Sequence, residues 1–307
     1  MNEVMQEILS ASFIFIIIRV GTPLVYASMS SYVANLAGIS NIAVEGMMTF
    51  GALFGVYFSA ITGSAWIGLL GAILVGMFLG AVLAFFALKM KASPIMVGIA
   101  LNLFTADFAT YLLLIWTGSK GTSGSLDSKV LPRIDIPILK DIPVLGEIFS
   151  GHLALTYICI ILMILLYIMV YKTPFGLRMK ACGLDEHAAE SVGIKVNKMR
   201  TIAALMSGAF AAMGGAYLSM GYLSMYSNNM TASRGWIGIA AAAVGGNNLG
   251  VVFLMTGVFA VAQAIVNILL LGSLPSELIN TIPYISVLIG LIIMSSKEMH
   301  KAKKQMI

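Results

Sequence analysis

Long uninterrupted apolar runs constrain this chain more than any other feature. They lie at about 9–33, 46–62, 65–87, 94–116, 153–171, 201–225, 236–247, 251–271 and 278–295. Most come close to or exceed the roughly 20 residues that carry an α-helix across a hydrocarbon core. Only 10% of the residues are charged, against about 25% in a soluble domain, so the chain lacks the polar surface to fold in water. A β-barrel would need short alternating segments around a polar interior, and the sequence has none. The expected fold is an all-α membrane protein, a polytopic transmembrane helix bundle forming a single domain over residues 1–307, with about nine spans (8–10). Two places suggest broken or re-entrant segments: the short 236–247 run, and the end of the first run near Gly38.

Lys and Arg placement orients such a bundle, because cytoplasmic loops are enriched in both. Lys172, Arg178, Lys180, Lys195, Lys198 and Arg200 crowd the loop at about 172–200; Lys89 and Lys91 flank one turn, and Lys297, Lys301, Lys303 and Lys304 fill the C-terminal tail. These regions are expected in the cytoplasm. The loop at about 118–151 balances Lys120, Lys129, Arg133 and Lys140 against Asp127, Asp135, Asp141 and Glu147, so it is expected outside. Parity holds if 236–247 crosses, which puts the N-terminus outside and the C-terminus inside a cell membrane. Met1-Asn2-Glu3-Val4 lacks the basic start of a cleavable signal. The outer loop carries Gly118, Gly121, Gly124, Pro132, Pro137 and Pro143, residues that punctuate turns; it is either a folded-back docking surface or a solvated connector.

Polar side chains inside apolar runs are the next signal, since a charge at a helix centre costs roughly 2.5–3.5 kcal/mol on insertion scales. Asn41 and Glu45 are four apart and share one helix face. They are either part of a translocation path beside a broken helix, or a helix start whose carboxylate is satisfied by amides. Asn102 and Asp107 sit in a later run; Asn102 suits interhelical hydrogen bonding, whereas Asp107, near mid-span, is the stronger pathway candidate. Gln263 and Asn267 repeat the four-residue spacing, either as packing contacts or as pore lining. Arg19 either pairs with Glu45 or Asp107 or reaches toward an interface. Tyr217, Tyr222, Tyr226, Trp236 and Tyr284 are expected near the outer ends, where interfacial belts form. Gly76–Gly80 and Gly246–Gly250 have GxxxG spacing, which suits close helix approach, although the second could be a turn.

The chain has no G-x-x-x-x-G-K-[ST] phosphate loop, no G-x-S-x-G elbow and no H-E-x-x-H zinc site. His152, His187 and His300 fall in loops or the tail, and Cys159 and Cys182 form no ligand spacing. An enzyme is not expected. The polar island at 173–194 interrupts the apolar pattern with Pro174, Gly176 and Gly183. Asp185 is a good N-cap, Glu186 places negative charge at a helix start, and Gly193 suits a C′ position. A short capped helix there would fit a groove on a partner.

Thr173-Pro-Phe-Gly-Leu-Arg-Met-Lys-Ala-Cys-Gly183, followed by Ala188-Ala189 and Gly193-Ile194, resembles the cytoplasmic loop of ABC-transporter permeases of the ribose and branched-chain amino acid branch. Asn41-Ile-Ala-Val-Glu-Gly-Met-Met48, Val97-Gly-Ile-Ala-Leu-Asn102, Ser207-Gly-Ala-Phe-Ala-Ala-Met-Gly-Gly-Ala216 and Arg234-Gly-Trp-Ile-Gly-Ile-Ala-Ala241 are similar to other motifs of that branch. The outer-loop stretches Leu131–Pro137 and Ile142–Gly146, with Pro275 through Pro283-Tyr284, narrow the resemblance to its simple-sugar and nucleoside members.

The resemblance implies a permease subunit of an ATP-driven, binding-protein-dependent importer working by alternating access. Its implied partners are a cytoplasmic ABC ATPase, a second permease (a related chain or a second copy), an extracytoplasmic solute-binding protein and the lipid bilayer, with no nucleic acid. No cofactor is expected in this chain, because ATP and Mg would sit on the ATPase. Gly176, Arg178, Gly183, Asp185, Glu186, Ala188, Ala189 and Gly193 would couple to it, and Asn41, Glu45, Asn102, Asp107, Gln263 and Asn267 would line the path. Leu184 departs from the pattern, standing where the family often carries an acid. The competing readings are an ion-coupled secondary transporter using Glu45 and Asp107, and a permease for another small polar solute such as a branched-chain amino acid.

Overall fold

The computed structural model describes residues 11–136 and 145–269, with Thr281, Ile285 and Ile292. The expected 278–295 span, the lysine-rich tail, and Pro137, Lys140, Asp141, Pro143, Pro275, Pro283 and Tyr284 lie outside the described residues. Apart from one two-stranded ladder and one isolated bridge, the regular structure among the described residues is helical. Its helices are α1 (Ala11–Leu36), α2 (Val44–Thr62), α3 (Ala65–Ala84), α4 (Pro94–Thr117), α5 (Leu145–Phe149), α6 (Ala154–Lys172), α7 (Pro174–Leu184), α8 (Glu186–Ser191), α9 (Val196–Tyr217), α10 (Arg234–Gly245) and α11 (Leu249–Leu269). α3 and α9 each run on through a π-helical turn, Phe85–Lys89 and Leu218–Tyr222. Strands β1 (Arg133–Ile134) and β2 (His152–Leu153) pair antiparallel.

Seven of the described helices are long and apolar enough to cross a membrane. α10 is not among them. Its 12 residues span about 18 Å at 1.5 Å per residue, short of the roughly 30 Å hydrocarbon core. Irregular chain precedes α10. From Tyr226, whose N–H donates to Ser123 Oγ in the 118–136 segment, the backbone runs without helix to Ser233. α10 then carries it to the turn at Gly246–Asn248, where Tyr32 Oη donates to the Asn247 carbonyl and Tyr171 Oη accepts from Leu249 N–H. Residues 226–247 therefore run from the 118–136 segment to the ends of α1 and α6 as irregular chain followed by helix, and Gly246–Asn248 is a turn rather than part of a packing motif.

The sequence explains why α1 sits at the centre. Its residues from Val20 to Leu36 are almost all buried, and it packs on α9, α10, α11, α6 and α2. Ser28, Ser30 and Ser31 along it are small and polar; Ser28 bonds back to the Val25 carbonyl and Ser30 bonds across to Ser207. α3 and α9 pack backbone to backbone. A Cβ on Gly76 or Gly80 would strike the backbone of Gly208 or Ala204, and one on Gly208 would strike Gly76. Backbone contact of this kind supplies van der Waals packing in lipid, where apolar burial alone does not drive association.

The segment 118–136 folds back over one end of the bundle. Ser123 N–H donates to the Tyr226 carbonyl, Leu131 N–H to the Met220 carbonyl, and the Lys129 backbone exchanges hydrogen bonds with Ser59. We call this the long-loop end and the opposite one, bearing α7 and α8, the island end. Trp236 lies in the first turn of α10 with its side chain exposed.

Candidate functional site

Two short interruptions meet inside the bundle. The first follows α1: Gly38 takes a positive φ of 77°, and the chain turns back to start α2 beside the middle of α9. Asn41 fixes that start. Its Oδ1 accepts from Ala43 N–H at 2.8 Å, and its Nδ2 donates to Ser207 Oγ at 2.7 Å. Asn102 on α4 braces the same turn, with Nδ2 donating to the Ile42 carbonyl and Oδ1 accepting from Gly46 N–H, both at 2.8 Å.

The second interruption precedes α10. Ala232 and Ser233 both have positive φ, 44° and 62°, a conformation that costs of order 1–3 kcal/mol for a non-glycine residue unless its surroundings impose it. Glu45 imposes it. One carboxylate oxygen accepts from Ser233 N–H at 3.0 Å and the other from Gly235 N–H at 2.7 Å. The acid thus caps the α10 N-terminus, where free amides and the positive end of the helix dipole favour an anion. Any Cβ at position 235 would collide with Glu45, which is why a glycine follows Arg234. Asn41, Glu45 and Asn102 come together, and all three are engaged in holding broken backbone.

Asp107 has a different setting. It lies near the middle of α4, a helix that packs mainly on α2, and it faces outward with Leu103, Phe104, Phe108 and Tyr111 around an open recess of about 380 Å³. Phe104 and Phe108 stack with centroids 5.0 Å apart. Asn102, five residues earlier, points the other way, into α2. Gln263 and Asn267 are not brought to this face; they are half-buried on α11, whose main partners are α1 and α10. Arg19 pairs with neither Glu45 nor Asp107; its guanidinium lies 4.4 Å from the centroid of the Tyr222 ring at the long-loop end.

The island forms two helices. Thr173 caps α7 by accepting from Gly176 N–H, and Asp185 caps α8 by accepting from Ala188 N–H at 3.0 Å. Gly193 closes α8 with φ of 80°. Ala189 is buried at 2% exposure against Cys182, Val196 and Met199, so it seats α8 on the bundle. Ala188 and Glu190 face outward, and Leu184 at 67% and Val192 at 75% exposure flank the helix as two free aliphatic side chains. Arg178 is exposed. Gly183 touches the backbone at Leu36 and Gly38. Sequence reasoning counted Arg200 only as loop charge. The structure gives it a larger part, because its Nη1 donates to Glu186 at 2.8 Å while its Nε donates to the Ala37 carbonyl at 3.2 Å. Ser207 was likewise missed as the hub joining Ser30, Asn41 and α9; its place in a small-residue motif gave no hint of that role.

Comparison with known proteins places this arrangement. The model of the branched-chain amino acid transport system / permease component family matches residues 13–296. A Haloferax volcanii protein named as a candidate glucose ABC transporter permease, TsgC13, is 31% identical over 73% of this chain and 67% of its own length. The nucleoside ABC transporter permease protein NupC of Lactococcus lactis is 29% identical over 90% of both chains. The guanosine ABC transporter permease protein NupQ of Bacillus subtilis is 29% identical over 79% of this chain and 76% of its own. Among solved structures, an ABC transporter assigned to the metal-chelate type, in an inward-facing conformation, superposes with a TM-score of 0.53 at 17% identity, covering 96% of this chain and 89% of that one.

Proposed function

The chain belongs to the branched-chain amino acid transport system / permease component family, and from that premise we propose that this ABC-transporter permease subunit carries nucleosides. The supporting observation is the Asp107 face. A carboxylate at mid-helix is costly against lipid, so in the assembled transporter this face looks onto a second permease and a watered path between them. There, the carboxylate offers acceptors to the ring N–H groups of a base, and the Phe104–Phe108 stack and Tyr111 offer flat surfaces to its ring. The match with the L. lactis nucleoside permease along nine-tenths of both chains points the same way.

Motion would come from a separate ATPase seated on α8. The exposed pair Leu184 and Val192 frames a short helix whose other face is anchored by Ala189, the arrangement needed to transmit a push without the helix peeling away. The basic island end is then cytoplasmic, and the long-loop end, which faces the solute-binding protein, is outside. The ion-coupled alternative would need Glu45 as a site, and that carboxylate is already taken by two backbone amides.

Uptake of radiolabelled guanosine, uridine and glucose by the purified complex in proteoliposomes tests the reading. ATP-dependent nucleoside uptake that needs the binding protein is expected. Glucose uptake alone, or nucleoside uptake driven by an ion gradient without ATP, would overturn it. Labelling by an impermeant maleimide at Ser128→Cys but not at Ser191→Cys in intact cells checks the orientation.

A further inference from the structure

We infer that the long-loop end carries a binding site for one anionic phospholipid, with its phosphate against Arg19 and Arg133 and one acyl chain in the groove between α1, α6 and α11. Two adjoining features carry this. One is a polar recess of about 30 Å³ walled by Phe15, Arg19, Arg133, His152 and Tyr217. That volume admits about two water-sized groups, enough for phosphate oxygens but not for a whole solute. The other is an apolar groove of about 300 Å³ whose lining includes Gly21, Val25, Ile160, Met163, Phe253 and Gly257. His152 lines both, so the charged recess opens into the head of the groove.

Cationic groups outnumber acidic ones here. Neither Arg19 nor Arg133 makes an ion pair among the described residues; Arg19 rests on the Tyr222 ring, Arg133 is exposed in β1, and the Asp135 carboxylate stands at the rim beside Gly151. His152 is stacked on Phe15 with centroids 4.1 Å apart and hydrogen-bonded through Nε2 to the Ile148 carbonyl at 2.8 Å. Burial lowers its pKa, which leaves the recess charge to the two guanidinium groups. Both suit phosphate oxygens, which their N–H forks can grip in pairs.

Depth also fits. Thr22 on α1 is level with Thr156 in the first turn of α6, so Arg19, about one turn closer to the long-loop end, stands at the height of β2. That is the headgroup level of a bilayer spanned by α6, and the groove runs from there toward the bilayer middle. A side chain at Gly257 would meet nothing within 4 Å, so the groove is open space at that position of α11.

The test uses the whole transporter purified in mild detergent, with retained lipid read by native mass spectrometry. One phosphatidylglycerol per copy of this chain is expected, retained in preference to phosphatidylcholine. Arg19→Gln should lower its retention about fivefold, the effect of one basic residue on an anionic lipid, and Gly257→Leu should lower it by filling the groove. Thermal unfolding should rise with added phosphatidylglycerol and not with inorganic phosphate. Wild type that retains no phospholipid, as it would with the groove covered by another protein segment, would overturn the inference. So would equal retention of both lipids, equal stabilisation by phosphate alone, or unchanged retention in both variants. If Arg19→Gln does not fold, Gly257→Leu, which points into empty space, decides the matter.

Discussion

Two acidic residues within the apolar helices have opposite settings, and their surroundings show which is which. Glu45 is consumed by structure: both carboxylate oxygens accept backbone amides at the head of α10. Replacing it by alanine would leave two partly buried donors unpaired, at about 1–3 kcal/mol each. Glu45→Ala should therefore lower the thermal unfolding midpoint of the purified complex, while Glu45→Gln, which keeps one acceptor, should lower it less. Equal midpoints for wild type and Glu45→Ala would show that the cap is dispensable. Asp107 is the reverse case, since no side chain or amide among the described residues consumes its oxygens and it lines an open recess. A site built around a hydrogen bond discriminates strongly once that bond is lost. Asp107→Asn should reduce nucleoside uptake about tenfold or more, with no change in unfolding midpoint or in ATPase assembly. Uptake that survives Asp107→Asn would place recognition elsewhere.

At the scale of elements, the long helices were plain in the sequence and the broken ones only half so. α2, α3, α4, α6 and α11 fall within two residues or so of the apolar runs, because lipid solvation selects their length and little else competes. The sequence also marked Gly38 as a break and 236–247 as too short. It did not say that the descent before α10 is irregular, because that backbone is stabilised by Glu45, nearly 190 residues away, a contact with no local signature. The island shows the same division. Asp185 and Gly193 signalled α8 through local capping chemistry, whereas the inward face of Ala189 depends on Cys182, Val196 and Met199 closing over it. Leu184, Ala188 and Val192 are therefore exposed on and beside α8, the surface that the proposed function gives to the ATPase. Val192→Asp should weaken ATPase association about tenfold, as loss of an interface anchor does, with the permease fold intact by circular dichroism. Unchanged association in a pull-down would move the dock away from α8.

For the whole molecule, the proposed function requires that a push at the island end reach the Asp107 face. The structure contains a continuous set of contacts that would carry it. Glu186 on α8 binds Arg200, Arg200 binds the Ala37 carbonyl at the end of α1, and Gly183 abuts Gly38. The chain then runs directly into Asn41, and the turn at Ile42 and Gly46 is held by Asn102 on α4, the helix that carries Asp107. Spatial continuity alone is not coupling, so the link must be tested by breaking it without unfolding it. Arg200→Gln is suited to that. The Glu186 side chain is 45% exposed, and an ion pair open to solvent contributes roughly 0–1 kcal/mol, so the bundle should stay folded and α8 should keep its ATPase. What should fall is the stimulation of ATP hydrolysis by loaded binding protein, together with uptake per ATP consumed. Glu186→Gln should give the same loss, and the double variant no more than either single one, because both remove one shared link. Independent, additive losses would mean that the push reaches α1 by another route, with the Gly183–Gly38 backbone contact the next to examine.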